Sequence, residues 1–109
     1  MRLTPSEVDR ATVFLVAELA RRHRAKGLRL NHPEAVALIC DEMHEAARAG
    51  ASYDAVRTVG AGVLSEDDVL DGVADLLDSL RIECVFADGT RVLIVERPIR
   101  RARTPGNQP

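Results

Sequence analysis

Gly27-Leu28-Arg29-Leu30-Asn31-His32-Pro33-Glu34-Ala35-Val36-Ala37-Leu38-Ile39 closes one helix and opens the next. Glycine accepts the left-handed backbone that ends a helix, and Arg21, Arg22, Arg24 and Lys26 load the preceding turns with cations, which the negative helix end favours. Asn31 is a cap whose side chain can accept from backbone N–H, Pro33 loses nothing in a first turn, and Glu34 stands where a capping box closes. Two helices joined by a short corner follow, and they should pack antiparallel.

Working outward, Thr4-Pro5-Ser6-Glu7 repeats the capping logic, so the first helix should begin at Pro5. Between Val8 and Ala20 only Asp9, Arg10 and Glu18 are charged, and the apolar surface is wider than one core contact requires. This helix should touch two neighbours. In the second helix Val36, Ile39, Cys40, Met43 and Ala47 share one face. Glu34, Asp41, Glu45 and Arg48 fall on others, and Gly50 ends the run. Ser52 starts a shorter helix, Tyr53 to about Val59, before Gly60 and Gly62, each of which costs about 1 kcal/mol in a helix interior. Ser65-Glu66-Asp67-Asp68 reads as a further capped helix start, Gly72 as a break, and Ala74 to Ser79 as one more turn.

The period then changes from helical to alternating. Arg81–Phe86 and Thr90–Val95 flank Ala87-Asp88-Gly89, and Asp-Gly is a strong hairpin signal. With Asp88-Gly89 as the turn, Ile82, Cys84 and Phe86 face Val95, Leu93 and Arg91, leaving Val85, Val92 and Ile94 on the other side. Two strands alone are barely stable in water, and a hairpin apolar on both sides wants cover on both. The expected fold class is α+β, a small bundle of about four helices followed by a C-terminal antiparallel β-hairpin. The expected domain is 1–99, with a disordered tail at 100–109.

With 109 residues, the chain fits one domain that buries about two thirds of its unfolded surface, a thin core that leans toward assembly. A net charge of -2 offers phosphates no basic field, and 3% aromatic residues provide few stacking surfaces, which argues against nucleic acid. No apolar run reaches the ~20 residues of a membrane span, and the N-terminus lacks a signal peptide's apolar stretch. A cytoplasmic protein with Cys40 and Cys84 as free thiols is expected.

The three histidines, His23, His32 and His44, form no metal-ligand spacing. Cys40 and His44 are four apart with Asp41 and Glu45 beside them, but the reading preferred is a buried thiol next to a solvated charged face. Asp67 and Asp68 point about 100° apart and do not converge on one proton. Ser6, Ser52, Ser65 and Ser79 have no histidine at a suggestive spacing. Gly60-Ala61-Gly62 lacks the strand and Gly-Lys-Ser/Thr of a phosphate loop and reads as a helix interruption or a close-packing point. His32 is expected to be exposed and hydrogen-bonded to a neighbouring loop, and the arginines of the tail to be a solvated end. Neither catalytic nor metal-binding residues are expected on this chain.

Four segments in order, Leu3-Thr4-Pro5-Ser6-Glu7, the corner Gly27–Ile39, Val63–Val73, and Phe86–Thr90 with Val95–Ile99, resemble the gamma subunit family of bacterial ureases over nearly the whole chain. The resemblance implies a non-catalytic component of a nickel-dependent enzyme that hydrolyses urea to ammonia and carbamate. It places the nickel ligands on the alpha subunit, with alpha, beta and gamma chains in equal number and three such units in a trimer. On that resemblance Arg10, Asn31, Pro33 and Arg97 are expected at subunit interfaces. Two other readings stand beside it: an interaction module on the same fold without urease activity, and a small metal-binding protein using Cys40 and His44.

Overall fold

A computed structural model describes residues 2–101. Helix α1 runs Pro5–Ala25. At its start Thr4 N donates to Glu7 Oε1 at 2.8 Å and Glu7 N donates to Thr4 Oγ1 at 3.2 Å, the reciprocal pair read from the sequence. It ends at Gly27, whose φ of 78° lets Leu28 N reach back to the His23 carbonyl at 2.9 Å. Helix α2, His32–Arg48, has its own box: Glu34 N donates to Asn31 Oδ1 at 2.9 Å, and Asn31 N to Glu34 Oε1 at 3.0 Å. The two helices are antiparallel, since Arg10 near the start of α1 meets Glu45 late in α2 while His23 late in α1 meets Glu34.

Helix α3, Tyr53–Gly62, continues through the glycines instead of stopping at Val59. Gly60 is buried, and a methyl group there would sit 2.5 Å from Met43 Sδ, so close packing on α2 compensates for its poor helix propensity. Beyond it the expected capped helix at Ser65 shrinks to a single 3₁₀ turn, Glu66–Asp68. The Asp68 carboxylate accepts from Ser65 N at 2.8 Å and closes that turn locally. The backbone then pairs elsewhere: Leu30 N donates to Asp68 O and Leu70 N to Leu30 O, both at 2.9 Å, so groups a longer helix needs are taken by the α1–α2 corner. After Gly72, left-handed at φ 86°, α4 occupies Val73–Leu76, earlier and shorter than the expected Ala74–Ser79 because Ser79 already belongs to a strand.

Four strands are present among the described residues: β1 Leu64–Ser65, β2 Ser79–Phe86, β3 Gly89–Glu96 and β4 Ile99–Arg100. The hairpin β2–β3 exists, but its register differs from the expected one. Phe86 pairs with Gly89, Cys84 with Arg91 and Ile82 with Leu93, so the turn residues are Ala87-Asp88. An Asp88-Gly89 turn of the favoured mirror-image type needs left-handed backbone at both residues. Only Gly89, at φ 123°, has it. The pairs slide by two positions, and with a side-chain period of two every residue keeps its face. Leu80, Ile82, Cys84, Phe86, Leu93 and Val95 are buried, while Val85, Val92 and Ile94 point outward, as read.

The short strands β1 and β4 pair in parallel, a contact the sequence did not announce. Arg97 makes it possible: its left-handed φ of 47° costs roughly 1 kcal/mol for a non-glycine residue and turns the chain sharply out of β3. Arg97 N donates to Asp78 O at 2.7 Å. The core joins α2, α3 and the inner hairpin face through Leu38, Ile39, Met43, Val56, Leu64, Leu93 and Val95, closing an α+β fold. Of the expected tail, Arg100 lies in β4 and residues 102–109 fall outside those described.

Candidate interaction surface

Helix α1 shows two contrasting sides. The side toward α2 buries Ala17 and Ala20, with Val13 and Val16 packed at its margin. The opposite side carries Val8, Leu15 and Leu19, with Phe14 beside them, all exposed, Leu15 by 65%. Residues at such spacing form one stripe on a helix, and the second neighbour expected for α1 is not supplied by the described chain. The outer hairpin face is similar, with Val85 66% exposed beside Val92 and Ile94.

An open cleft of about 790 Å³ is bounded by Leu3, Arg10 and Phe14 of the α1 side, His44 and Arg48 of α2, and Val85 of β2. Ser6 and His44 both line it, yet no hydrogen bond joins them among the described residues. Burial, followed by the nearby Arg10 charge, holds the His44 imidazole below its usual pKa. The Cys40 thiol is pushed up to about 11, chiefly by burial, and burial raises Cys84 as well, so neither is a ready thiolate at neutral pH. Both cysteines are free and buried.

Electrostatics concentrate where α1 crosses α2. Asp41 is 1% exposed, with Arg10 Nη1 donating to Oδ1 at 2.8 Å and Arg21 Nη2 to Oδ2 at 2.6 Å. Arg10 also reaches Glu45 at 3.1 Å, and Arg21 reaches Glu18 and, at 3.4 Å, Glu42. Burial opposes ionisation of Asp41, but the two guanidinium groups outweigh it and hold the carboxyl below its ordinary pKa. Arg21, despite its own desolvation, is held charged by Asp41 and Glu18. The expectation of a solvated charged face is therefore corrected for Asp41, and Glu34, read as a capping residue, is also buried, 6% exposed and paired with His23. A pattern read on α2 alone misses that α1 brings cations to this face. The signal was present, since Arg10 and Arg21 are eleven residues apart, about three helical turns, and share a side of α1.

Arg10 thus belongs to this seam as well as to the cleft wall, while Asn31 and Pro33 are exposed at the start of α2 and Arg97 is exposed after β3. His32 is exposed and makes no side-chain hydrogen bond among the described residues; the histidine that does is His23. Asp67 and Asp68 lie within the 3₁₀ turn, with Asp68 3.4 Å from Arg24. Among the described residues no three His, Cys, Asp or Glu side chains are grouped to hold a metal ion, and no buried side-chain nitrogen or oxygen lacks a partner.

Such an arrangement defines a small α+β protein whose outer apolar faces, more than any converging set of reactive groups, carry its chemistry. The chain belongs to the urease gamma subunit family: the family described as "Urease, gamma subunit" matches residues 1–99. It is 50% identical over 105 residues, 96% of its length, to proteins named "Urease subunit gamma/beta" from Pseudomonas syringae pv. syringae (strain B728a) and pv. tomato (strain ATCC BAA-871 / DC3000). The alignment covers 46% of each relative, so the chain spans about half the length of the curated relatives it matches.

Proposed function

We propose that this chain is the non-catalytic gamma component of a cytoplasmic, nickel-dependent urease that hydrolyses urea to ammonia and carbamate, packing with alpha and beta chains in a trimer of alpha-beta-gamma units. The observation that carries the reading is the pair of uncovered apolar faces, the α1 stripe and the outer hairpin, on a member of this family. An obligate partner covering them would bury more than about 1,000 Å².

The described residues do not suit the nickel centre. Their buried carboxylates already serve Arg10, Arg21 and His23, and Cys40 holds its proton at neutral pH, so the metal chemistry belongs to a companion chain. Arg10, Asn31, Pro33 and Arg97 are the positions proposed for the contacts, and 1–99 the unit that makes them.

Co-expression with the alpha and beta chains tests this. The expected result is a co-purifying three-chain complex that hydrolyses urea in the presence of nickel, while the isolated chain does not. Failure of the chain to associate with those partners overturns the proposal.

A further inference from the structure

Helix α1 is attached differently from every other long element. Only Ala17 and Ala20 of its 21 residues are buried, whereas α2 buries nine of 17. The large buried side chains Leu30, Leu38, Ile39, Met43, Leu64, Leu93, Val56 and Val95 all lie outside α1. Its extensive packing is with α2 alone, through the small side chains Val13, Val16, Ala17 and Ala20 together with charge: Arg10 and Arg21 on Asp41, His23 on Glu34. At its C-terminal end, Gly27 sits between the helix and Leu30, which is fully buried and fixed to Asp68 and Leu70 by backbone hydrogen bonds.

We propose that α1 is a hinged arm that leaves α2 as a unit about Gly27 while residues 30–100 stay folded, with the Asp41–Arg10–Arg21 bridge as its latch. The length fits, because 21 residues with a capping box and basic last turns exceed the ~12–15 below which an isolated helix is marginal. The location fits as well. On the α1 side opening uncovers only small apolar groups, Val13, Val16, Ala17 and Ala20, so the ion pairs are a substantial share of what is lost, and local opening is drawn from regions with few buried apolar contacts. The seam's further groups, Glu18 on α1 and Glu42, His44 and Glu45 on α2, are half-buried or exposed and rehydrate readily when it parts.

Amide hydrogen exchange on the full chain at neutral pH tests this. Protection of the α1 amides should lie about tenfold or more below that of α2, β2 and β3. Asp41→Asn should lower α1 protection by at least about a hundredfold, and that of β2 and β3 with it because the bridge is also lost on global unfolding, whereas Leu93→Ala should lower β2 and β3 and leave α1 unchanged. If the aspartate variant does not fold, Arg10→Gln, at a side chain 32% exposed, should lower α1 protection by a smaller factor. Wild-type α1 exchanging in step with β2 and β3 overturns the arm, and α1 protection unmoved by Asp41→Asn or Arg10→Gln overturns the latch.

Discussion

The α1–α2 seam and the β2–β3 hairpin solve the same problem, holding an amphipathic element onto a thin core, with opposite chemistry. The hairpin alternates, so one strand face buries Leu80, Ile82, Cys84 and Phe86 without a single charge. Helix α1 contributes two alanines and two guanidinium groups aimed at one buried carboxylate. Apolar attachment is non-directional and tolerates small shifts. Ionic attachment is directional, and removing one partner leaves the others desolvated.

The contrast is open to a direct test by truncating one partner on each side. Asp41→Asn leaves Arg10 and Arg21 without their shared carboxylate and should destabilise the chain by about 3–5 kcal/mol in chemical denaturation. Leu93→Ala, at a fully buried position, should cost about 2–5 kcal/mol by cavity formation. If the aspartate variant loses less than about 1 kcal/mol, the seam is not what its geometry suggests.

The pH dependence sharpens the same comparison. Because the folded pKa of Asp41 is depressed, its contribution is complete above the unfolded value of about 3.9 and is lost as pH falls through the lower folded value. The stability gap between wild type and Asp41→Asn should therefore be flat near neutrality and narrow below about pH 4, whereas the gap for Leu93→Ala should not follow that titration. Denaturation midpoints at several pH values check this.

Gly60→Ala has a smaller effect. The added methyl collides with Met43 Sδ, a flexible side chain in a tight place, and should cost about 1–3 kcal/mol against the gain in helix propensity. Smallest for the isolated chain are Leu15→Ser and Val85→Thr on the exposed faces, within about 0.5 kcal/mol in thermal or chemical melts. Under the proposed function these two should weaken capture of the alpha and beta chains, measured by co-purification, much more than they alter folding.

Legibility in the sequence followed the range of each interaction. Both capping boxes, the Gly27 stop and the faces of the hairpin could be read because their partners lie within a few residues or obey a fixed period. Burial of Asp41 and Glu34 could not be read from α2, since it depends on which side of α1 faces them. The β1–β4 pairing was hidden for a similar reason: two-residue strands have no periodicity, and their partners are about 35 residues apart. At Ser65 the local signal was sound, but Leu30 competed for the same backbone and won. For the interaction surface, the excess apolar width of α1 and the outer hairpin face were visible early. Which polar residues adjoin them depends on how the helices pack.

One carboxylate also fixes the corner between the helices. Oε1 of Glu34 accepts from the backbone at Asn31, and Oε2 meets His23 on the last turns of α1, so a single side chain both starts one helix and clasps the other. In the closed arrangement the hinge segment consequently has little spare slack, and the arm opens only once His23 parts from Glu34. A residue inserted between Lys26 and Asn31 would force Glu34 to abandon one of its two duties, so the bend angle and the first turn of α2 are set jointly, like a joint cut from one piece.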